Sequence, residues 1–195
     1  MKKVVLFFAL AVGLLASAST LQAQTVNMSR YIILTVKNGA AIKLNFKAAA
    51  KGTSVRIVSG YKTRNITVNN GWYDGSWPRT YTVTAYASTM TVYGNITGFD
   101  CSGNGANLTA LDLSQNTQLK ELFCDNNQLT TLDVSKNTQL GWLYCHGNNF
   151  STQALDDIYC ALPDRTSETY GVIQPVRNSS STYNDTVIAS NAANA

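Results

Sequence analysis

The chain is poor in the residues from which catalytic and metal sites are usually assembled. Its 195 residues include one histidine, His146, and four cysteines, none paired as C-x-x-C. A zinc-type site needs several imidazole or thiolate ligands at close spacing, so no metal is expected. No G-x-S-x-G elbow accompanies His146, the sole candidate imidazole base. Paired carboxylates leave no spacing signature, which keeps a glycosidase open on motif alone. The expectation is a non-enzyme with no catalytic residue and no cofactor. Charge is sparse as well: 13% of residues are charged, and the formal net charge is +4. A patch fit for nucleic acid would need a far stronger basic bias, so nucleic acid is not an expected partner.

Long apolar runs are scarce too. The one prominent run, Val4 to Leu15, follows Met1-Lys2-Lys3 and precedes small residues and Leu21-Gln-Ala23-Gln24. Basic, apolar and cleavage regions in that order read as a secretory signal over residues 1–23, and the run is too short for a permanent membrane helix. Cleavage is placed after Ala23, with Ala18 the alternative. It would remove Lys2 and Lys3 and take the formal charge from +4 to +2. The expected product is exported, either secreted or held at the cell surface, with the periplasm an alternative. It carries no stable membrane insertion after cleavage.

What the chain does have is repetition. Leu119-Lys-Glu-Leu122-Phe-Cys124-Asp-Asn-Asn127-Gln-Leu129 returns as Leu140-Gly-Trp-Leu143-Tyr-Cys145-His-Gly-Asn148-Asn-Phe150, an offset of 21 residues. Ile96-Thr-Gly-Phe99-Asp-Cys101-Ser-Gly-Asn104 fits the same nonamer, 23 residues ahead of Cys124, because Gly103–Asn107 is two residues longer than its counterpart. A second nonamer runs Leu108-x-x-Leu111-Asp112-Leu113-x-x-Asn116 and Leu129-x-x-Leu132-Asp133-Val134-x-x-Asn137, with a weaker echo from Ala87 to Asn95. A fixed period in this range, written L-x-x-L-x-C-x-x-N-x-L, reads as a leucine-rich repeat of about three coils.

The alternation Leu-x-Cys is the period-two mark of a short strand with one buried face. It sends Cys101, Cys124 and Cys145 inward as one ladder. Asparagine at the ninth position can satisfy backbone groups orphaned by a tight bend, which sets Asn104, Asn127 and Asn148 as a second ladder and Asn116 with Asn137 as a third. Buried, parallel thiols behave as small hydrophobes rather than bridge partners, so these cysteines are expected free. Cys145 to Cys160 is the one bridge worth testing. Asp112 and Asp133, one period apart, are expected to bond neighbouring backbone amides and hydroxyls, with calcium the lesser alternative.

The tandem LxxLxCxxNxLTxLDVSKNTQ resembles the short cysteine-ladder repeats of bacterial internalin-like surface proteins, over about residues 87 to 163. Cys101, Cys124 and Cys145 match the family's cysteine column, and Ala154–Arg165 is similar to the helix that closes such arrays. The resemblance implies adhesion or protein recognition at a cell surface.

Upstream, Tyr31–Val36, Ala41–Phe46, Ser54–Val58, Arg64–Val68 and Tyr81–Tyr86 are alternating or β-branched segments separated by Asn-Gly, Lys-Gly and Ser-Gly turns, and they predict short strands. The expected fold is therefore mostly β: a parallel-strand leucine-rich-repeat solenoid over 87–153, a β-rich amino-terminal cap over 24–86, and a carboxy-terminal cap helix with a polar tail over 154–195. Gly171–Val176 is the place for one last strand, and the closing residues read as a truncated element. A sharper role for the amino-terminal region is a separate ligand-binding β-module using Trp72, Tyr73, Trp77 and Tyr81.

The columns between the buried residues differ from coil to coil: Gly98, Asp100 and Ser102, then Glu121, Phe123 and Asp125, then Trp142, Tyr144 and His146. Phe123 is expected beside Tyr144, with Trp142 and His146 flanking and Asp100, Glu121 and Asp125 at the rim. Exposed aromatics ringed by polar groups are the composition of interface hot spots. Protein recognition through this face is the leading expectation, although the patch could instead pack against the carboxy-terminal tail. The alternative function is a carbohydrate-binding accessory module in which Trp142, Tyr144, Trp72 and Trp77 stack on sugar rings.

Overall fold

The computed structural model describes residues 25–72, 79–163 and 172–174. The signal segment 1–23, Tyr73, Trp77 and most of the polar tail lie outside the described residues. Among those described, four strands come first: β1 (Tyr31–Val36) and β2 (Ala41–Ala48), joined by a tight turn, and β3 (Thr53–Ser59) and β4 (Lys62–Val68), which pair as a hairpin. Then come β5 (Tyr81–Thr84), β6 (Thr89–Tyr93), β7 (Ile96–Asp100), β8 (Leu108–Asp112), β9 (Glu121–Phe123), β10 (Trp142–Tyr144), a helix α1 (Thr152–Ala161) and β11 (Val172–Gln174). The first five strands begin within two residues of the alternating segments seen in the sequence. The alternation itself explains them: Ile32, Leu34 and Val36, or Ile42, Leu44 and Phe46, are buried at every second position.

The β1–β2 and β3–β4 turns each reverse the chain, but β1 and β2 end in different sheets. One sheet has the order β4-β3-β6-β1-β8 and is antiparallel throughout. The other runs β11-β10-β9-β7-β2-β5; β7, β9, β10 and β11 are mutually parallel, and β2 closes on β7, and β5 on β2, in antiparallel fashion. Their buried side chains form one continuous core, from Ile32 and Val92 through Phe46 and Phe99 to Leu143 and Phe150. Fully burying each such aliphatic or aromatic side chain contributes about 1.5–3 kcal/mol.

This architecture corrects the expected solenoid with caps at its ends. The described residues form a sandwich of two sheets, one antiparallel and one mixed, with a single helix of ten residues among them. Strands from residues 31–84 are built into both sheets: β2 and β5 continue the mixed sheet beyond β7, while β1, β3 and β4 belong to the antiparallel one. The second nonamer gives β8, which pairs antiparallel with β1, while residues 129–137 form no strand. The physical reason is that Leu-x-x-Leu-x-Cys spacing specifies which face of a short strand is buried, not what buries it. The hairpin strands expose inner faces as apolar as those of the repeats, and packing the two against each other satisfies both.

Within the mixed sheet the repeats are joined by side chains as much as by backbone. Asn127 Nδ2 donates to the carbonyls of Cys101 at 3.0 Å and Cys124 at 2.9 Å, and its Oδ1 accepts from Asn104 N at 3.0 Å. Asn148 Nδ2 repeats this toward Cys124 O at 3.0 Å and Cys145 O at 2.8 Å. Asn104 makes the corresponding bonds to Cys101 O at 2.9 Å and to Lys43 O at 3.0 Å, and its Oδ1 accepts from Lys43 N at 2.8 Å, which ties the ladder to β2. Asn137 reaches Asn116 O at 2.9 Å in the second row. Asp112 and Asp133, by contrast, act locally: each carboxylate accepts the amide two residues on, Ser114 N at 2.9 Å and Ser135 N at 2.8 Å. Those amide bonds hold Asp133 below the usual carboxylate range. Helix α1 starts at Ser151, whose hydroxyl accepts Ala154 N at 3.1 Å, and it seats Ala154, Leu155 and Ile158 on the core.

Candidate functional site

The outer face of the mixed sheet carries two rows set by strand register. The first runs Asn45, Asp100, Phe123, Tyr144 and Gln174; the second, one pleat away, runs Lys47, Gly98, Glu121, Trp142 and Val172. Between them on the opposite face lie Phe46, Phe99, Leu122 and Leu143, all buried. The face is therefore a rigid plane whose side chains are aimed by the pleat, and Trp142 stands out from it, 44% exposed.

Aromatic packing organises the centre of this plane. Phe123 stacks on Tyr144 with ring centroids 5.0 Å apart and meets Trp72 edge-on at 5.2 Å. Such offset and edge-to-face pairs are worth about 0.5–1.5 kcal/mol beyond their buried area. Trp72 reaches the sheet because residue 98 is glycine: a Cβ there would lie 2.6 Å from its Cζ2. From that notch the indole N–H donates to Glu121, whose other oxygen pairs with the Lys47 ammonium. Glu121 is thereby held by a residue of β2 and a residue of the β4–β5 connection together.

A carboxylate line borders the aromatics. Asp100 accepts from Asn45 Nδ2 at 2.7 Å, from Ser102 N at 2.9 Å and from the Ser102 hydroxyl. Asp125 accepts from Asn126 Nδ2 at 2.6 Å and lies 3.6 Å from His146 Nε2. Burial pushes the Asp125 carboxyl above its ordinary range, and the neighbouring Asp100 charge adds to this, while His146 and Asn126 pull it back.

Of the residues expected on this face, Asp100, Glu121, Phe123, Asp125 and Tyr144 are half-buried, and Trp142 is exposed. His146 is not outward: it is 7% exposed, and its Nδ1 is buried without a hydrogen-bond partner. Strand β10 ends at Tyr144, so alternation no longer applies at residue 146, where the chain turns toward Gly147 at φ +62°. The imidazole turns in against Asp125. Cys101, Cys124 and Cys145 are fully buried and unbridged. Cys160 is exposed and free, which leaves no Cys145–Cys160 bridge. Tyr81, grouped with Trp72 in the alternative β-module, is buried, and its hydroxyl donates to Thr67 O at 3.2 Å. Lys47 and Asn45 were missed. Alternation along Ala41–Ala48 places both outward, but the register that sets them beside Glu121 and Asp100 spans more than fifty residues and leaves no local trace.

The arrangement can anchor a partner through flat aromatic and acidic surface. Three or more histidine, cysteine or carboxylate side chains do not gather as a metal site among the described residues. Compared with known proteins, the chain matches no family model, no curated protein and no solved structure.

Proposed function

We propose that the protein is an exported recognition module, not an enzyme, which binds a protein partner through the outer face of the mixed sheet. The observation that carries this reading is the fixed aromatic row Trp72–Phe123–Tyr144 with exposed Trp142 beside it and Asp100, Glu121 and Asp125 around it. Aromatic anchors set in a polar rim concentrate binding energy. Prior ordering by Glu121 and Lys47 lowers the entropy lost on association. The leader-like sequence of residues 1–23 and the repeat motif's likeness to internalin-like surface proteins support a setting outside the cytoplasm, secreted or at the cell surface.

A glycan is the second reading, favoured by the exposure of Trp142 alone, since an isolated indole suits a sugar ring. The test compares the chain with a Trp142→Ala, Tyr144→Ala variant in affinity capture from extracellular and cell-surface protein extracts, alongside an array of neutral glycans. Loss of a captured protein in a variant that melts normally supports the proposal. Capture unchanged by the variant overturns it, and binding confined to the glycan array replaces it with the second reading.

A further inference from the structure

A second surface, away from the aromatic row, has a different chemistry. A hollow of about 800 Å³ lies along strand β4, the free edge of the antiparallel sheet. Consecutive residues of a strand point to opposite sides. Arg64 and Asn65 both line the hollow, so it wraps around the edge rather than lying on one face. Three arginines contribute to it, Arg56, Arg64 and Arg79, and no carboxylate lines it among the described residues.

Two of these arginines meet at one ring. The guanidinium carbon of Arg64 lies 5.7 Å from the Tyr81 ring centroid and that of Arg79 lies 5.4 Å from it. Arg64 is also fixed by a 2.8 Å bond from Nη1 to Thr82 O, and Arg56 by a 3.2 Å bond from Nε to Asn65 Oδ1. The ion pairs among the described residues are Lys47 with Glu121 and His146 with Asp125, so none of the three arginines has an acidic partner there. Like charges held close by an aromatic ring and a backbone carbonyl make a positive field with no acidic partner among the described residues, and Arg64 and Arg79 are exposed.

We infer that this edge groove binds an acidic polysaccharide, a sugar chain whose charges are sulfates or carboxylates. Volume argues for an extended ligand, because a single oxyanion would occupy a small part of the space, whereas pockets of about 300–1,000 Å³ take ligands of several rings. The neutral lining of Ser54, Asn65 and Thr67 offers hydroxyls and an amide suited to sugar hydroxyls between the anionic groups. Guanidinium forks match carboxylate and sulfate oxygens in pairs. A single-stranded nucleic acid would require bare aromatic platforms for its bases, and Tyr81 is buried beneath the guanidiniums.

The test measures binding of the full chain to heparin and to polygalacturonate. Dextran, inorganic sulfate, polyglutamate and oligothymidylate serve as comparisons. The same panel is run on an Arg64→Gln, Arg79→Gln variant and on the Trp142→Ala, Tyr144→Ala variant, with thermal melting followed for each. Expected is binding to at least one acidic polysaccharide, at least tenfold tighter than to polyglutamate or oligothymidylate and absent for dextran. Heparin alone identifies sulfate as the recognised group, and polygalacturonate alone identifies carboxylate. The arginine variant should melt as the parent does and bind at least tenfold more weakly, while the aromatic variant should bind unchanged. The inference falls if neither polysaccharide binds, if inorganic sulfate competes for the whole signal at equal charge, if the arginine variant binds as tightly, or if the aromatic variant loses the polysaccharide. Should the arginine variant not fold, Arg56→Gln, on the other side of the edge, must show the loss instead. Failure of the aromatic face as a protein site leaves this result untouched, because the two variants are read on different ligands.

Discussion

The two sheets hold their strands together in different ways. In the antiparallel sheet β3 and β4 pair over seven residues, and the hairpin connection fixes their register. In the mixed sheet β9 and β10 are three residues long and far apart in sequence, with no turn to align them. There the buried asparagines take over: Asn127 and Asn148 each tie a cysteine carbonyl of their own repeat to that of the preceding one. Hairpins thus derive register from local chain geometry, whereas the repeats derive it from side-chain amides. The second solution should be the more brittle, because one asparagine and three backbone pairs carry what seven backbone pairs share in the hairpin.

The sharpest way to break this contrast is a cavity in the repeats. Leu143, 1% exposed in the centre of β10, should cost about 2–5 kcal/mol when changed to alanine. Denaturant unfolding of Leu143→Ala beside Thr63→Ala, an exposed position of β4, checks this; equal midpoints would show that β10 does not belong to the common core. Next in size is Asn127→Ala. It removes two donors and one acceptor and leaves buried carbonyls and the Asn104 amide short of partners, a cost of about 1–3 kcal/mol. Asn65→Ala, which loses one exposed bond to Arg56, should stay within about 0.5 kcal/mol. A neutral Asn127→Ala would mean that backbone pairing alone aligns the repeats. The smallest effect is one of rate in the unaltered protein. Burial pushes the Cys145 thiol up to about 12, and Cys101 and Cys124 also well above the ordinary value. At pH 8 these three should therefore react slowly with iodoacetamide while exposed Cys160 reacts at once, as peptide mapping would show. Rapid modification of Cys145 alone would place the first local opening at the β10 end.

Much of this fold is legible locally. Alternation gives β1 to β5 and the buried leucines and cysteines, and the offset between repeats sets Phe123 beside Tyr144 before any coordinates are known. What the period cannot convey is the partner of each inner face. Phe46 and Phe99 meet at a tilt across β2 and β7, ring centroids 5.7 Å apart, and nothing near either residue announces the other. The same blindness hid Lys47 and Asn45 from the candidate site. Gly98 did carry a readable signal: a glycine in an outward column otherwise occupied by Glu121 and Trp142 marks a place where another group comes close. His146 shows the opposite failure, since alternation was extended one step past the end of its strand.

The asparagine ladder also bears on how this chain can change in length. Because each amide bonds its own repeat and the one before it in the same way, a duplicated unit of 21 residues placed between β9 and β10 would present the donors and acceptors that its neighbours already expect. A change of spacing inside the nonamer would set leucine against the outer face and strand the amides, whereas extra residues in the turn are absorbed, as the 23-residue step from Cys101 to Cys124 shows with Asn127 still bonded to Cys101 O. Gene duplication can therefore lengthen or shorten the aromatic face in whole repeats, while the hairpins and the arginine-lined edge, lying outside the repeated unit, are inherited unaltered.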